Sequence, residues 1–363
     1  MEPVRIGVVG VGALGKIHAK LYKGLAGVEL VGVHDAQPAA AAALAAELGV
    51  AAFPSVAALL ERVEGVSVAV PTDRHHGTVL PILAAGRHVL VEKPIAASVA
   101  EAREMVAAAA EHRQVLAVGH VERFNPVVEC LDRTPGEARF IEAARLAPYP
   151  PPRPGLPPRG TEVSVVLDLM IHDLDLILHL VRAPVRQVDA VGVAILSATE
   201  DIANARILFG NGCVANVTAS RVSQERLRKI RVFKTTAYLS LDFGAKTGET
   251  VTLGPQGLVR EPVPVEEANA LERELAEFAR CIAECRRTGV PPVPRVSGEA
   301  GLAALELAEL IHAKIRETAA IGGGTCRPGD PSPGGGTCRP GDPSPGGGTC
   351  RPGDPSPGGG PGF

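Results

Sequence analysis

Short apolar runs alternate with stretches of helical spacing over the first third of the chain. Residues 4–9 form one such run, which ends in Gly10-Val11-Gly12-Ala13-Leu14-Gly15 and passes into a helical segment at 16–21. Residues 30–34, 65–70, 88–91 and 115–118 are further apolar runs. Residues 39–48, 55–61, 77–85 and 99–112 read as the helices between them. Strand alternating with helix predicts a doubly wound parallel sheet over residues 1–120. From residue 119 the pattern changes. A helix through residue 131 and a strand at 139–147 lead into residues 148–160, so rich in proline that regular structure is forbidden. An apolar helix near 164–178 follows. Residues 185–196, 199–209, 213–220, 229–233, 237–243 and 249–253 then read as strands with short connections, Asn211-Gly212 marking a hairpin turn. Residues 265–287 and 297–320 read as closing helices, the second with Ser297 as N-cap. The expected class is therefore α/β: a doubly wound parallel sheet, then an α+β domain over 121–320 with a largely antiparallel open sheet.

Residues 321–363 differ in kind. Gly-Gly-Gly-Thr-Cys-Arg-Pro-Gly-Asp-Pro-Ser-Pro occurs three times, from Gly322, Gly334 and Gly346. With no apolar periodicity it cannot bury a core and is expected to be disordered. Cys326, Cys338 and Cys350 recur because the unit recurs.

Composition narrows the partners. A hydrophobic content of 45% in 363 residues suffices for two domains. A formal net charge of −3 gives no electrostatic reason to expect nucleic acid or an anionic membrane. No run approaches the ~20 apolar residues of a membrane helix. The N-terminus enters a strand without signal-peptide architecture, and the cysteines of the body form no CxxC pair. A reducing cytoplasm is the expected location.

Two stretches carry chemistry. The first is the glycine-rich turn in its setting of strand, turn, helix, strand and acid, with Asp35 twenty residues after Gly15. Gly10 allows the tight turn, Gly12 lets backbone approach a pyrophosphate at a helix N-terminus, and Gly15 lets helix and strand pack closely. Asp35 suits the two ribose hydroxyls and repels a 2′-phosphate. Ala36 and Gln37 follow it, with no arginine to receive one, so NAD is favoured over NADP. The second stretch is Asp168, His172 and Asp175, which fall at i, i+4 and i+7 and share one face of an apolar helix. Such a stripe fits a core histidine satisfied by a carboxylate, a metal site, or a proton-handling pair. Lys93, between Glu92 and Pro94, closes a buried strand at the carboxyl end, where open parallel sheets deliver functional groups. A surface lysine paired with Glu92 is the alternative. The loop from Pro71 through Thr72 to His75 lies at the same edge and should face the cofactor.

These motifs in this order, the Gly10–Gly15 turn, Glu92-Lys93-Pro94, and Asp168 with His172 four residues on, resemble the glucose–fructose oxidoreductase / inositol dehydrogenase / MocA family over roughly residues 3–318. The resemblance implies a Rossmann domain and an antiparallel-sheet domain acting on a secondary alcohol of a sugar or cyclitol with NAD(P). It implies catalysis by Lys93, Asp168 and His172. It implies cofactor contacts at Gly10, Gly12, Ala13, Leu14, Gly15, Asp35, Pro71, Thr72, His75, Glu92 and Lys93. Thr72 replaces the commoner asparagine, and Met170 stands where glycine is usual. A homodimer or homotetramer through the C-terminal sheet is implied, and no metal. The segments Gly119-His120-Val121-Glu122-Arg123-Phe124-Asn125-Pro126 and Pro158-Arg159-Gly160-Thr161 further resemble the branch containing UDP-N-acetylglucosamine 3-dehydrogenases. That adds Arg123, Asn125 and Arg159 as expected substrate contacts beside Lys93, Asp168 and His172. A dehydrogenase of a free sugar or cyclitol, or a non-catalytic NAD-binding regulator, is the alternative. Retention of Lys93, Asp168 and His172 together speaks against the regulator, and hydride transfer to NAD needs no metal.

Overall fold

In the computed structural model, which describes residues 2–153, 158 and 160–321, the apolar runs of the first third form β1 (Val4–Val9), β2 (Val28–His34), β3 (Ala51–Ala52), β4 (Gly65–Val68), β5 (His88–Glu92) and β6 (Leu116–Gly119). They lie in the order β3-β2-β1-β4-β5-β6, every pair parallel. Between them run α1 (Ala13–Gly24), α2 (Pro38–Leu48), α3 (Val56–Leu60), α4 (His75–Ala84) and α5 (Val99–Glu111). Every residue of β4 and β5 is buried, as strands covered on both faces require. The order reverses between β1 and β4. The crevice outside the carboxyl ends at such a point is where this architecture binds ligands.

After α6 (Glu129–Arg133), β7 (Ala138–Leu146) and α7 (Ile171–Val181), the chain builds β8 (Val185–Val193), β9 (Ile202–Phe209), β10 (Val214–Ser220), β11 (Leu227–Lys234), β12 (Ala237–Asp242), β13 (Thr247–Gly254) and β14 (Gly257–Pro262). The eight strands lie in the order β14-β13-β12-β11-β7-β10-β9-β8. Only the β7–β10 pair is parallel. β14 was not among the expected strands. All six of its residues are exposed, so no buried face writes a pattern into its sequence. One side of this sheet buries Ile141, Val217, Ile230 and Val232 against Leu174 and Ile177 of α7. The other side is uncovered. It carries a Phe140, Phe233 and Tyr238 cluster beside the Glu142–Arg231 ion pair.

Two closing helices, α8 (Ala270–Thr288) and α9 (Gly298–Ile321), return to the first sheet. Leu275, Phe278 and Ile282 of α8 share a core with Val4, Ile6, Tyr22 and Leu90. α8 packs closely on Gly65, where a Cβ would stand 2.5 Å from Ile282 Cδ1. α9 sets Leu305 into the core around β4 and β5, while Leu307 and Ile311 enter the core under the second sheet. Residues Met1–Thr318 thus form one compact unit. The repeat tail expected to be disordered lies outside the described residues. Among those described, no helix is long and apolar enough to cross a membrane.

Candidate active site

The site forms at the carboxyl edge of the first sheet. Gly10 has φ +87, a conformation glycine alone adopts readily. A Cβ on Gly15 would collide with the Gly10 carbonyl oxygen. Gly12 has open space where a Cβ would stand, and α1 begins there with no side-chain cap. An uncapped helix N-terminus beside an open glycine is a seat for an anion. Asp35 closes the far end of β2's turn. Its Oδ2 accepts from Val11 N at 2.7 Å and its Oδ1 from Gln37 N at 2.8 Å, which fixes the orientation of the carboxylate. These residues fit a dinucleotide.

At the end of β5, Glu92 is buried, its Oε1 3.0 Å from His18 Nε2. Lys93 follows, with a cis peptide to Pro94. Its Nζ donates to the Asp168 carbonyl at 2.7 Å and to Asp168 Oδ1 at 3.2 Å. Asp168 sits in a single π turn, Val166–Met170, that runs directly into α7. The carboxylate approaches Gly160 so closely that a side chain there would strike Asp168 Oδ2. His172, in the first turn of α7, lines the same cavity as Lys93 and Asp168. Its Nδ1 is enclosed without a partner, and its ring meets the edge of His120 at 6.0 Å. Burial first, then the positive charges of Lys93 and Arg145, hold His172 well below its ordinary value. His120 is pushed down to about 3 by burial, then by Lys93 and Arg123. Both imidazoles are neutral at pH 7, and a neutral imidazole can accept a proton.

Behind His172 lies a buried charge network that the sequence did not announce. Arg145 of β7 donates from Nε and Nη2 to both oxygens of Asp173, at 2.9 and 3.0 Å, and from Nη1 to Glu122 Oε1 at 2.9 Å. Asp173 faces away from the stripe that holds Asp168 and His172, so helical spacing alone hid it. The signal for Arg145 was a cation in step with Ile141 and Ala143, on the buried face of the strand. The cavity itself measures about 820 Å³. Leu14, Glu92, Lys93, Asp168 and His172 line it. The proline-rich segment from Pro148 to Pro151 lines it too, with Tyr149, Arg226 and Arg228.

Several expected contacts stand elsewhere. Arg123 is buried, donates from Nη2 to the Arg295 carbonyl at 3.0 Å, and has its Nε 3.5 Å from Asp175 Oδ2. Asn125 is also buried, donating to Glu122 Oε2 and accepting from Val127 N. Neither is among the residues that line the cavity. The turn that carries them folds inward: the Asn125 amide is taken up by Glu122 and Val127, and Arg123 turns its guanidinium toward Asp175 and the Arg295 carbonyl. Asp175 secures α7 to that turn, and burial raises its carboxyl to about 7. Arg159 lies outside the described residues. Pro71 and Thr72 lie at the carboxyl edge of the sheet, Thr72 opening a 3₁₀ turn after β4. His75 is buried. Its Nδ1 lies 2.9 Å from the Pro94 carbonyl and its Nε2 3.0 Å from that of Val70, so it ties the loop after β4 to the loop carrying Lys93.

Comparison with known proteins gives a consistent picture. Residues 4–120 match the oxidoreductase family with an NAD-binding Rossmann fold, GFO/IDH/MocA, and residues 132–240 match the GFO/IDH/MocA C-terminal domain. The chain is 40% identical over 293 residues to the UDP-N-acetylglucosamine 3-dehydrogenase of Acidithiobacillus ferrooxidans, covering 79% of this chain and 91% of that protein. A solved structure of a UDP-N-acetylglucosamine 3-dehydrogenase from the same organism superposes with a TM-score of 0.80 at 38% identity, over 87% of this chain and 99% of that one. An inositol 2-dehydrogenase of Rhizobium meliloti is 31% identical over 180 residues, 48% of this chain and 53% of that protein.

Proposed function

This chain belongs to the GFO/IDH/MocA oxidoreductase family, and we propose that it oxidises the C3 hydroxyl of UDP-N-acetylglucosamine with NAD as hydride acceptor. The observation that carries the substrate is the 40% identity maintained over 91% of a dehydrogenase of that name. The cavity supports it. About 820 Å³ is toward the upper end of the ~300–1,000 Å³ of small-molecule sites, more than a lone cyclitol fills. An inositol-type cyclitol is the second reading, favoured by the inositol 2-dehydrogenase likeness.

NAD, when bound, supplies the acceptor for the hydride leaving the carbinol carbon. Asp35, fixed by two backbone amides, favours a free ribose hydroxyl pair over a 2′-phosphate. Neutral His172 takes the hydroxyl proton. The Lys93 ammonium, aimed by the Asp168 carbonyl and carboxylate, stabilises negative charge developing on the substrate oxygen. Asp168 thereby orients Lys93 and can also accept from a neighbouring hydroxyl. The uncovered face of the second sheet, with its aromatic cluster, supports association of this chain as a homodimer or homotetramer.

Purified protein incubated with NAD and, separately, UDP-N-acetylglucosamine, free N-acetylglucosamine and myo-inositol tests the substrate through NADH absorbance. We expect turnover with the nucleotide sugar at a kcat/KM at least tenfold above the others. Turnover confined to myo-inositol would overturn the substrate in favour of the second reading.

A further inference from the structure

The cavity is cationic beyond what the chemistry at Lys93 needs. Five cationic side chains line it, Lys93, Arg145, Arg153, Arg226 and Arg228, against three carboxylates, Glu92, Glu122 and Asp168. Lys93 is engaged by Asp168, and Arg145 by Asp173 and Glu122. The balance shifts at the start of β11. Arg228 stands directly across the antiparallel β7–β11 pair from Arg145. Like charges in that relation are destabilising unless an anion lies between them. Glu122 is the protein's own anion there, but its Oε1 is committed to Arg145 at 2.9 Å and reaches Arg228 only at 3.8 Å. Arg228 keeps 55% of its side chain exposed, and Arg226, just before the strand begins, is exposed as well. Both still line the cavity. Exposed guanidiniums converging on a cavity that holds a deficit of carboxylates are a site for a polyanion, and their planar forks suit phosphate oxygens.

Resting on the nucleotide-sugar reading above, we propose that Arg226 and Arg228 bind the diphosphate of that substrate and so set the enzyme's preference for a nucleoside diphosphate sugar over a free one. The sugar end then lies toward Lys93 and His172, and the nucleoside toward Tyr149 and the proline-rich wall. The cofactor's own pyrophosphate has a separate seat, at Gly12 and the N-terminus of α1.

The probe is UDP itself, titrated calorimetrically into the full-length wild type, the Arg226→Gln and Arg228→Lys single variants and the Arg226→Gln/Arg228→Gln double variant. Turnover of UDP-N-acetylglucosamine and NADH binding are measured alongside. We expect the double variant to bind UDP roughly tenfold or more weakly, from lost charge-assisted hydrogen bonds. KM for the nucleotide sugar should rise in parallel, with kcat within about threefold and NADH affinity unchanged. Arg228→Lys should keep part of the affinity. Equal UDP affinity in all four proteins, no UDP binding by the wild type, or a loss that falls on NADH instead, would each overturn the assignment. If the double variant fails to fold, Arg226→Gln decides, since its side chain is exposed. Arginine-dependent UDP binding without turnover of UDP-N-acetylglucosamine would sink the substrate reading and leave the diphosphate site standing.

Discussion

Lys93 and His172 lie on segments far apart in the chain, and the fold brings both to one cavity. In the proposed mechanism each acts on a different part of the hydroxyl being oxidised, the oxygen and its proton. Lys93→Met and His172→Ala should each lower kcat by about 10²- to 10⁴-fold, the usual worth of a positioned acid or base, while NADH still binds. NADH's own fluorescence reports that binding cleanly because the chain has no tryptophan. The depressed value of His172 has a signed consequence. A base must be unprotonated to work, and this one stays so below ~6.5. The acid limb of kcat/KM should therefore lie below pH 6.5, with no loss between pH 8 and 6.5. An acid limb at or above neutrality would show that burial is not tuning the base. These residues were legible because each advertised itself locally: a lysine at a strand end before proline, a carboxylate and imidazole one helical turn apart. Arg123 and Asn125 advertised themselves equally well, yet they lie outside the lining of the cavity. A polar residue in a turn reads the same whether it faces a ligand or its own chain's carbonyls, and only the tertiary path of Gly119 to Pro126 decides.

At the scale of elements, the π turn before α7 and the strand β7 together aim the site. Arg145 reaches from β7 to Asp173 and Glu122, holding α7 to the strand. Removing one partner of a buried ion pair leaves an uncompensated charge, which typically costs ~3–5 kcal/mol. Asp173→Asn should therefore lower the urea midpoint strongly, and the triple variant Glu122→Leu/Arg145→Met/Asp173→Leu should recover much of that loss, because the whole triad is replaced by apolar groups. A triple variant no more stable than Asp173→Asn would argue against a desolvated triad. Strand and helix order were readable because burial on one or both faces imposes a period. The π turn was not, since one extra residue in a turn changes no pattern. Asp173 followed it out of view.

The molecule as a whole is less divisible than its sequence implies. Composition and pattern place a boundary near residue 120, yet α8 completes the core of the first sheet, with Phe278 fully buried. Phe278→Ala should destabilise the Met1–Thr318 unit by ~3–5 kcal/mol as one cooperative transition in urea. A separate early transition of the first sheet alone would show that the two halves fold independently. Long-range packing of this kind is invisible to any window of sequence, because α8's apolar stripe says only that it is covered and not by what.

The return of α8 and α9 also orders events during synthesis. A ribosome delivers β1 first, but the side chains that fill the space beside Gly65 and against Val4 and Leu90 emerge only when the chain is nearly finished. The nascent first sheet, already packed by its own helices, keeps the patch that α8 fills open through the translation of the entire second sheet. Tight dinucleotide binding by the nascent chain should therefore be reached only with the last helices, and chaperone occupancy should persist until they emerge.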